Sequence, residues 1–181
     1  ASALLNEYTE RFSDDEKFLG YRIQLMQKYG KIEDEIESVK ALHEKNPEDF
    51  QANYMLGFTH MKIKDYKGAA QYFLNAARVK PDFYGILSNL AVCFDNMGEH
   101  PMALNFYDQA LRLKPDAGLM KAAKSLIMCN YGFVQEYYEL FLEGLEGIRH
   151  DKQKHDTYIA QLSNIVFYIH YVPGYPREKI R

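Results

Sequence analysis

With 181 residues, 47% of them hydrophobic and 26% charged, the chain has the composition of one folded domain or one short solenoid and not of a disordered segment. A net charge of -3 supplies no basic excess for nucleic-acid binding, and the longest unbroken apolar run, around Ile165 to Ile169, is far too short to span a bilayer. The two cysteines, Cys93 and Cys129, are too few for a disulfide framework, so reduced buried thiols and a cytoplasmic location are expected.

A spacing of 34 residues organises the chain, with each period predicted to form a pair of helices, A then B. Residues 1–13 read as half a period, with Ala1, Leu5 and Tyr8 at small, large and medium positions of a B helix. Its missing A helix predicts that the chain begins inside a longer solenoid. A degenerate copy follows at 16–49, with Leu19 and Met26 in helix A, Gly30 in the turn, and a B helix from about Ile32 to Lys45 closed by Asn46-Pro47.

The pattern is clearest at 50–83 and 84–117. The first copy holds Leu56, Gly57, His60, Ala69, Phe73, Ala76 and Pro81; the second holds Leu90, Ala91, Phe94, Ala103, Tyr107, Ala110 and Pro115, each 34 positions later. Small residues suit the close approach of helices, and large ones fill the space beside them. Each proline ends a B helix, because it lacks an N–H and biases the preceding residue out of helical geometry. Asp82 and Asp116, just after the prolines, are expected to cap the next helices.

The period weakens at 118–150. Its A helix ends near Asn130, Gly132 takes the turn position of Gly98, and a B helix runs from about Phe133 to Gly147. That helix lacks the usual small residue, crowds Tyr137, Tyr138 and Phe141, and is expected to fray or bend at Gly144 and Gly147. In the final segment, 151–181, Tyr158, Ile159, Leu162, Ile165, Val166 and Ile169 make one apolar face of a capping helix over about Thr157 to Tyr171. Val172-Pro173-Gly174 breaks it, and Arg177 to Arg181 read as the start of a following segment.

No catalytic constellation is present: phosphate-binding, dinucleotide-binding, nucleophile-elbow and zinc-protease motifs are all missing. His150 and His155 are poorly spaced for metal ligation on one helical face, and His60 reads as a packing residue. Neither a cofactor nor a metal is expected, and the chain is not expected to be an enzyme.

These residues resemble the tetratricopeptide repeat: the period, the paired small and large positions and the terminal prolines all match its pattern. The resemblance implies an all-α superhelix of antiparallel helix pairs with a C-terminal capping helix, acting as a protein–protein interaction scaffold. It further implies a concave surface lined by helix A, which here would present Lys17, Tyr21 and Gln24, then Gln51, Tyr54, Phe58 and Met61, then Ser88, Asn89, Val92 and Asp95. The expected partner is a peptide or protein, with no role for nucleic acid or membrane. Tyr54, Phe58 and Met61 suit an adaptable peptide-binding patch, although packing on a neighbouring helix explains the same residues. The chaperone-tail-binding subclass is not matched, since its Lys and Asn positions hold Gly20, Gln24, Tyr54, Phe58, Ser88 and Val92. A shorter stretch within 158–180, Ser163-Asn164-Ile165-Val166-Phe167 with Tyr171, Pro173 and Glu178, resembles the repeat-to-catalytic-domain junction of bacterial O-linked N-acetylglucosamine transferase-like (SPINDLY-like) proteins. That resemblance implies the non-catalytic targeting arm of a glycosyltransferase. Of that family's asparagine ladder, only Asn89 is present, the equivalent positions being Tyr21, Met55 and Ala123.

Overall fold

A computed structural model describes residues 32–153 and 156–158. The half repeat at 1–13, the first A helix with Lys17, Tyr21 and Gln24, and the apolar stripe beyond Tyr158 lie outside the described residues. So does most of the junction-like stretch.

Among the described residues the regular elements are all helical. They are α1 (Ile32–Lys45), α2 (Phe50–Lys62), α3 (Tyr66–Val79), α4 (Tyr84–Asn96), α5 (His100–Leu113), α6 (Gly118–Asn130) and α7 (Val134–Gly147). Contacts divide the chain into two compact units, Ala1–Glu99 and His100–Arg181.

The turns between A and B helices repeat one geometry at the 34-residue interval. After α2, α4 and α6 the chain passes through a left-handed residue at Lys64 (φ 63°), Gly98 (φ 76°) and Gly132 (φ 93°). At each turn the left-handed N–H donates three residues back, to Met61, Asp95 or Cys129. The next N–H donates five residues back, to His60, Phe94 or Met128. This is the Schellman arrangement, which satisfies carbonyls that the helix end leaves open. Glycine holds the left-handed position without strain at two of the three turns, whereas Lys64 does not. Relieving about 1–2 kcal/mol of left-handed strain should outweigh glycine's extra unfolded-state freedom, about 0.5–1 kcal/mol. Lys64→Gly is therefore expected to stabilise the first unit by about 0.5–1 kcal/mol in denaturant titration, and a lowered midpoint would refute the strain.

The other ends of the A helices depart from expectation. Asp49 caps α2, its Oδ1 accepting from the Ala52 N–H at 2.7 Å. One and two periods later the cap position holds Phe83 and Ala117, neither of which makes a side-chain capping bond. Asp82 and Asp116 therefore do not cap the helices that follow. The turn after each proline takes up one more residue, so the helix starts beyond their reach.

In the first unit α2 packs against α1, α3 and α4, and α3 also packs against α4. Val39, Ala52, Met55 and Leu56 form one apolar cluster with Tyr72 beside it. Gly57 permits the closest approach in the α2–α3 pair: a Cβ there would lie 2.8 Å from two ring carbons of Phe73. Phe73 is fully buried and meets Tyr54 edge-on, with ring centroids 5.8 Å apart.

In the second unit α6 packs on both α5 and α7. The weak repeat keeps more of the pattern than the residue types suggest. Ser125, Phe141 and Gly144 stand one period after Ala91, Tyr107 and Ala110, and all three are buried. Leu90 and Ala103 are replaced by Lys124 and Tyr137, so both members of the pair are large and the small one is lost. The Lys124 Nζ sits 5.5 Å from the centre of the Tyr137 ring and 2.6 Å from Asp108 Oδ1. Its aliphatic stem fills the leucine position while the ammonium reaches a carboxylate and an aromatic face.

α7 runs unbroken through Gly144 and ends at Gly147, and the two glycines meet Ala122 and Gly118 at a close backbone approach. A Cβ on Gly144 would lie 2.5 Å from the Ala122 amide nitrogen, and one on Gly147 would lie 2.8 Å from Gly118 Cα. The small residues missing at position 137 thus reappear at the far end of the helix. Beyond α7, Tyr158 lies against Phe141, centroids 6.3 Å apart, beside a core that also holds Leu145 and Ile148.

Candidate functional site

The A-helix faces of the first unit are built by spacing. Gln51, Tyr54, Phe58 and Met61 recur along α2 at three- and four-residue intervals and share one side of it; Ser88, Val92 and Asp95 occupy the equivalent positions in α4, with Asn89 adjoining. α2 and α4 touch, so both stripes belong to one unit.

The side chains divide into an inner and an outer set. Tyr54 is buried, its ring stacked parallel to Phe50 at 6.2 Å and edge-on to Phe83 at 5.5 Å. Its hydroxyl also stands where a Cβ on Gly85 would fall, which ties α2 closely to α4. Lys80 Nζ covers the outer aromatic, 4.5 Å from the Phe50 centroid. Tyr54 is therefore the floor beneath this face. Gln51, Phe58 and Met61 are half-buried, as are Ser88, Asn89, Val92 and Asp95. Lys62 Nζ stands 5.3 Å from the Phe58 centroid, placing a cation beside the apolar surface. The Ser88 hydroxyl donates to the Gly85 carbonyl at 3.1 Å within its own helix.

His60 serves the turn next to this face. Its Nδ1 lies 2.8 Å from Asp65 Oδ2, and its ring tilts against Tyr72 with centroids 5.0 Å apart. Asp65 caps α3 by accepting from the Gly68 N–H at 3.0 Å. That backbone bond, followed by the His60 contact, holds the Asp65 carboxyl below its usual range. A Cβ on Gly68 would strike both partners. The histidine therefore has a structural task in joining α2 to the start of α3.

Among the described residues, no group of three or more His, Cys, Asp and Glu could hold a metal ion. Both cysteines are buried, and neither is in a disulfide. Burial pushes the Cys93 thiol up to about 12 from an ordinary value of 9.0. That rise lowers the thiolate fraction about a thousandfold at neutral pH. Cys93 is accordingly expected to react with a thiol-specific disulfide reagent only as the protein unfolds; rapid labelling of the native chain would show an open path to the sulfur.

Helix pairs of this length, with a left-handed turn at each described A–B junction and a proline after three of the four described B helices, invite comparison with known repeats. Profiles described as tetratricopeptide repeat match residues 50–83 and 85–117. These two segments are tetratricopeptide repeats. A solved structure described as MamA aligns with a TM-score of 0.62 at 20% identity, covering 82% of this chain and 87% of its own. TTC0263, a thermophilic tetratricopeptide-repeat protein of Thermus thermophilus, aligns with a TM-score of 0.62 at 18% identity, covering 88% of each chain. A search of curated proteins by sequence finds no match. At these identities the likeness concerns the fold. The all-α tetratricopeptide-repeat architecture is thereby established, and among the described residues no helix is long and apolar enough to cross a membrane.

Proposed function

We propose that this chain is a cytoplasmic protein–protein interaction scaffold, and that it binds a peptide or a segment of a partner protein across the A-helix face of its tetratricopeptide repeats. The observation that carries this reading is the half-buried row formed by Gln51, Phe58 and Met61 on α2 with Ser88, Asn89, Val92 and Asp95 on α4, above a floor closed by Tyr54. Phe58 and Met61 offer apolar, adaptable contact, and the polar row on α4 offers hydrogen-bonding groups to an extended backbone. The reading adds Lys17, Tyr21 and Gln24 from the sequence alone, as residues of the preceding 34-residue period.

The test is to select binders from a random-peptide library and locate them by chemical-shift changes in the labelled protein. Phe58→Ala is expected to weaken a selected peptide about tenfold or more, since a single aromatic anchor often dominates such an interface. The melting temperature should change little, because the ring is only half-buried. Unchanged affinity in a Phe58→Ala, Met61→Ala double variant would remove this face as the binding site.

A second reading draws on the Ser163–Phe167 stretch with Tyr171, Pro173 and Glu178: the chain is the non-catalytic, substrate-targeting arm of an O-linked N-acetylglucosamine transferase-like enzyme. It predicts a glycosyltransferase domain encoded directly downstream. An open reading frame without one would dismiss it.

A further inference from the structure

The first unit has a second recess, on its B-helix side. An open cleft of about 580 Å³ lies between α3 and the C-terminal end of α4, lined by Lys67, Gln71, Leu74 and Arg78 from α3 and by Phe94 and Met97 from the other wall. The α3 residues follow one another at helical intervals and form a single stripe. Leu74 is 39% exposed, an apolar residue at a position where the neighbouring periods carry Lys40 and Asp108. At the two ends of the stripe stand Lys67 and Arg78, both exposed; neither makes a close ion pair among the described residues, and the Lys67 charge contributes, as the smallest of several causes, to holding the Asp65 carboxyl low. Gln71 and Asn75 lie between them in the lining.

We propose that this cleft is a second docking surface, separate from the A-helix face, and that it takes an extended acidic peptide segment of a partner protein. Charge complementarity selects the occupant. Lys67 and Arg78 are eleven residues apart on one helix, a separation of about 16 Å along its axis. An extended chain advances about 3.3 Å per residue and alternates its side chains between two faces, so carboxylates four residues apart share one face about 13 Å apart, and the long side chains of Lys67 and Arg78 close the remaining distance. An apolar side chain midway between them meets Leu74, Phe94 and Met97. Glu99 is the one carboxylate in the lining, and it opposes a third negative charge. The fit is therefore to two separated carboxylates flanking an apolar residue, with no need for a uniformly acidic tail.

The probe is a fluorescein-labelled pentapeptide, Glu-Ser-Leu-Ser-Glu, measured by fluorescence anisotropy against the whole chain at low ionic strength. Its counterpart carries glutamine in place of both glutamates. The acidic peptide is expected to bind about tenfold more tightly than the neutral one, and to shift NMR signals from Leu74 and Met97. A Lys67→Glu, Arg78→Glu double variant should erase the difference between the peptides. Leu74→Ser should weaken both peptides, and Phe58→Ala should weaken neither. All these positions are at least partly exposed, and an unchanged helical circular dichroism spectrum confirms that each variant folds. Equal affinity for the two peptides, or shifts confined to the Phe58 face, would overturn the assignment while leaving the proposal for the A-helix face intact.

Discussion

Replacing Gly144 by valine is expected to lower the stability of the second unit by about 3 kcal/mol, the upper end of the usual cost of overpacking a core. An alanine here would by helix propensity alone be favoured by about 1 kcal/mol, so the sign is decided by space. The atoms that a Cβ would meet are the amide nitrogen, Cα and Cβ of Ala122, at 2.5, 2.8 and 2.9 Å. Backbone cannot rotate aside as a flexible side chain does. The helices must separate, and separation loosens the contacts of Phe141 and Leu145, both buried in the same cluster. Gly132 provides the contrast: nothing lies within 4 Å of its added Cβ, so substitution there meets only the cost of a positive φ. Hydrogen exchange should show faster opening of α6 and α7, with α2 and α3 retaining their protection, as expected where repeats contribute separately to stability. An unaltered denaturation midpoint for Gly144→Val would mean that α6 and α7 do not cross at this point.

Phe73→Ala is expected to cost about 3–5 kcal/mol, as for other fully buried phenylalanines. The ring fills the space that Gly57 leaves open and supports Tyr54 from the side. The pairing makes a sharper test than either residue alone. Gly57→Ala by itself should destabilise, because the new methyl would sit 2.8 Å from the Phe73 ring. In the Phe73→Ala background the same substitution has room and should recover about 1 kcal/mol of helix propensity. The two effects should therefore be strongly non-additive, as for residues that share one contact. Additive costs in the double-mutant cycle would show that Gly57 and Phe73 do not meet.

The 34-residue period, the helix boundaries around the prolines and the glycine turns were legible in the residues themselves, because each rests on local backbone chemistry. Proline cannot donate at a B-helix end, and Gly98 and Gly132 accept the left-handed conformation that a Schellman turn requires. Even the turn at Lys64 follows from its register, despite the residue type. The buried ladder Phe73, Tyr107 and Phe141 could likewise be read forward by 34, as could the half-buried face of α2 and α4.

Other features depended on which atoms the fold brings together. Tyr54 shares a stripe with Phe58 and Met61, yet only the neighbouring Phe50, Phe73 and Phe83 make it floor and leave the others at the surface. The glycines of α7 look like helix breakers until Gly118 and Ala122 stand opposite them. Lys124 looks like a lost core position until Asp108 and Tyr137 meet its ammonium. The B-helix cleft has no motif at all, and its one trace in the sequence is Leu74 between the charged positions of adjacent periods. Periodicity determines which side of a helix a residue occupies; how deeply it is buried, and what it touches, depends on a second helix whose distance only the tertiary structure sets.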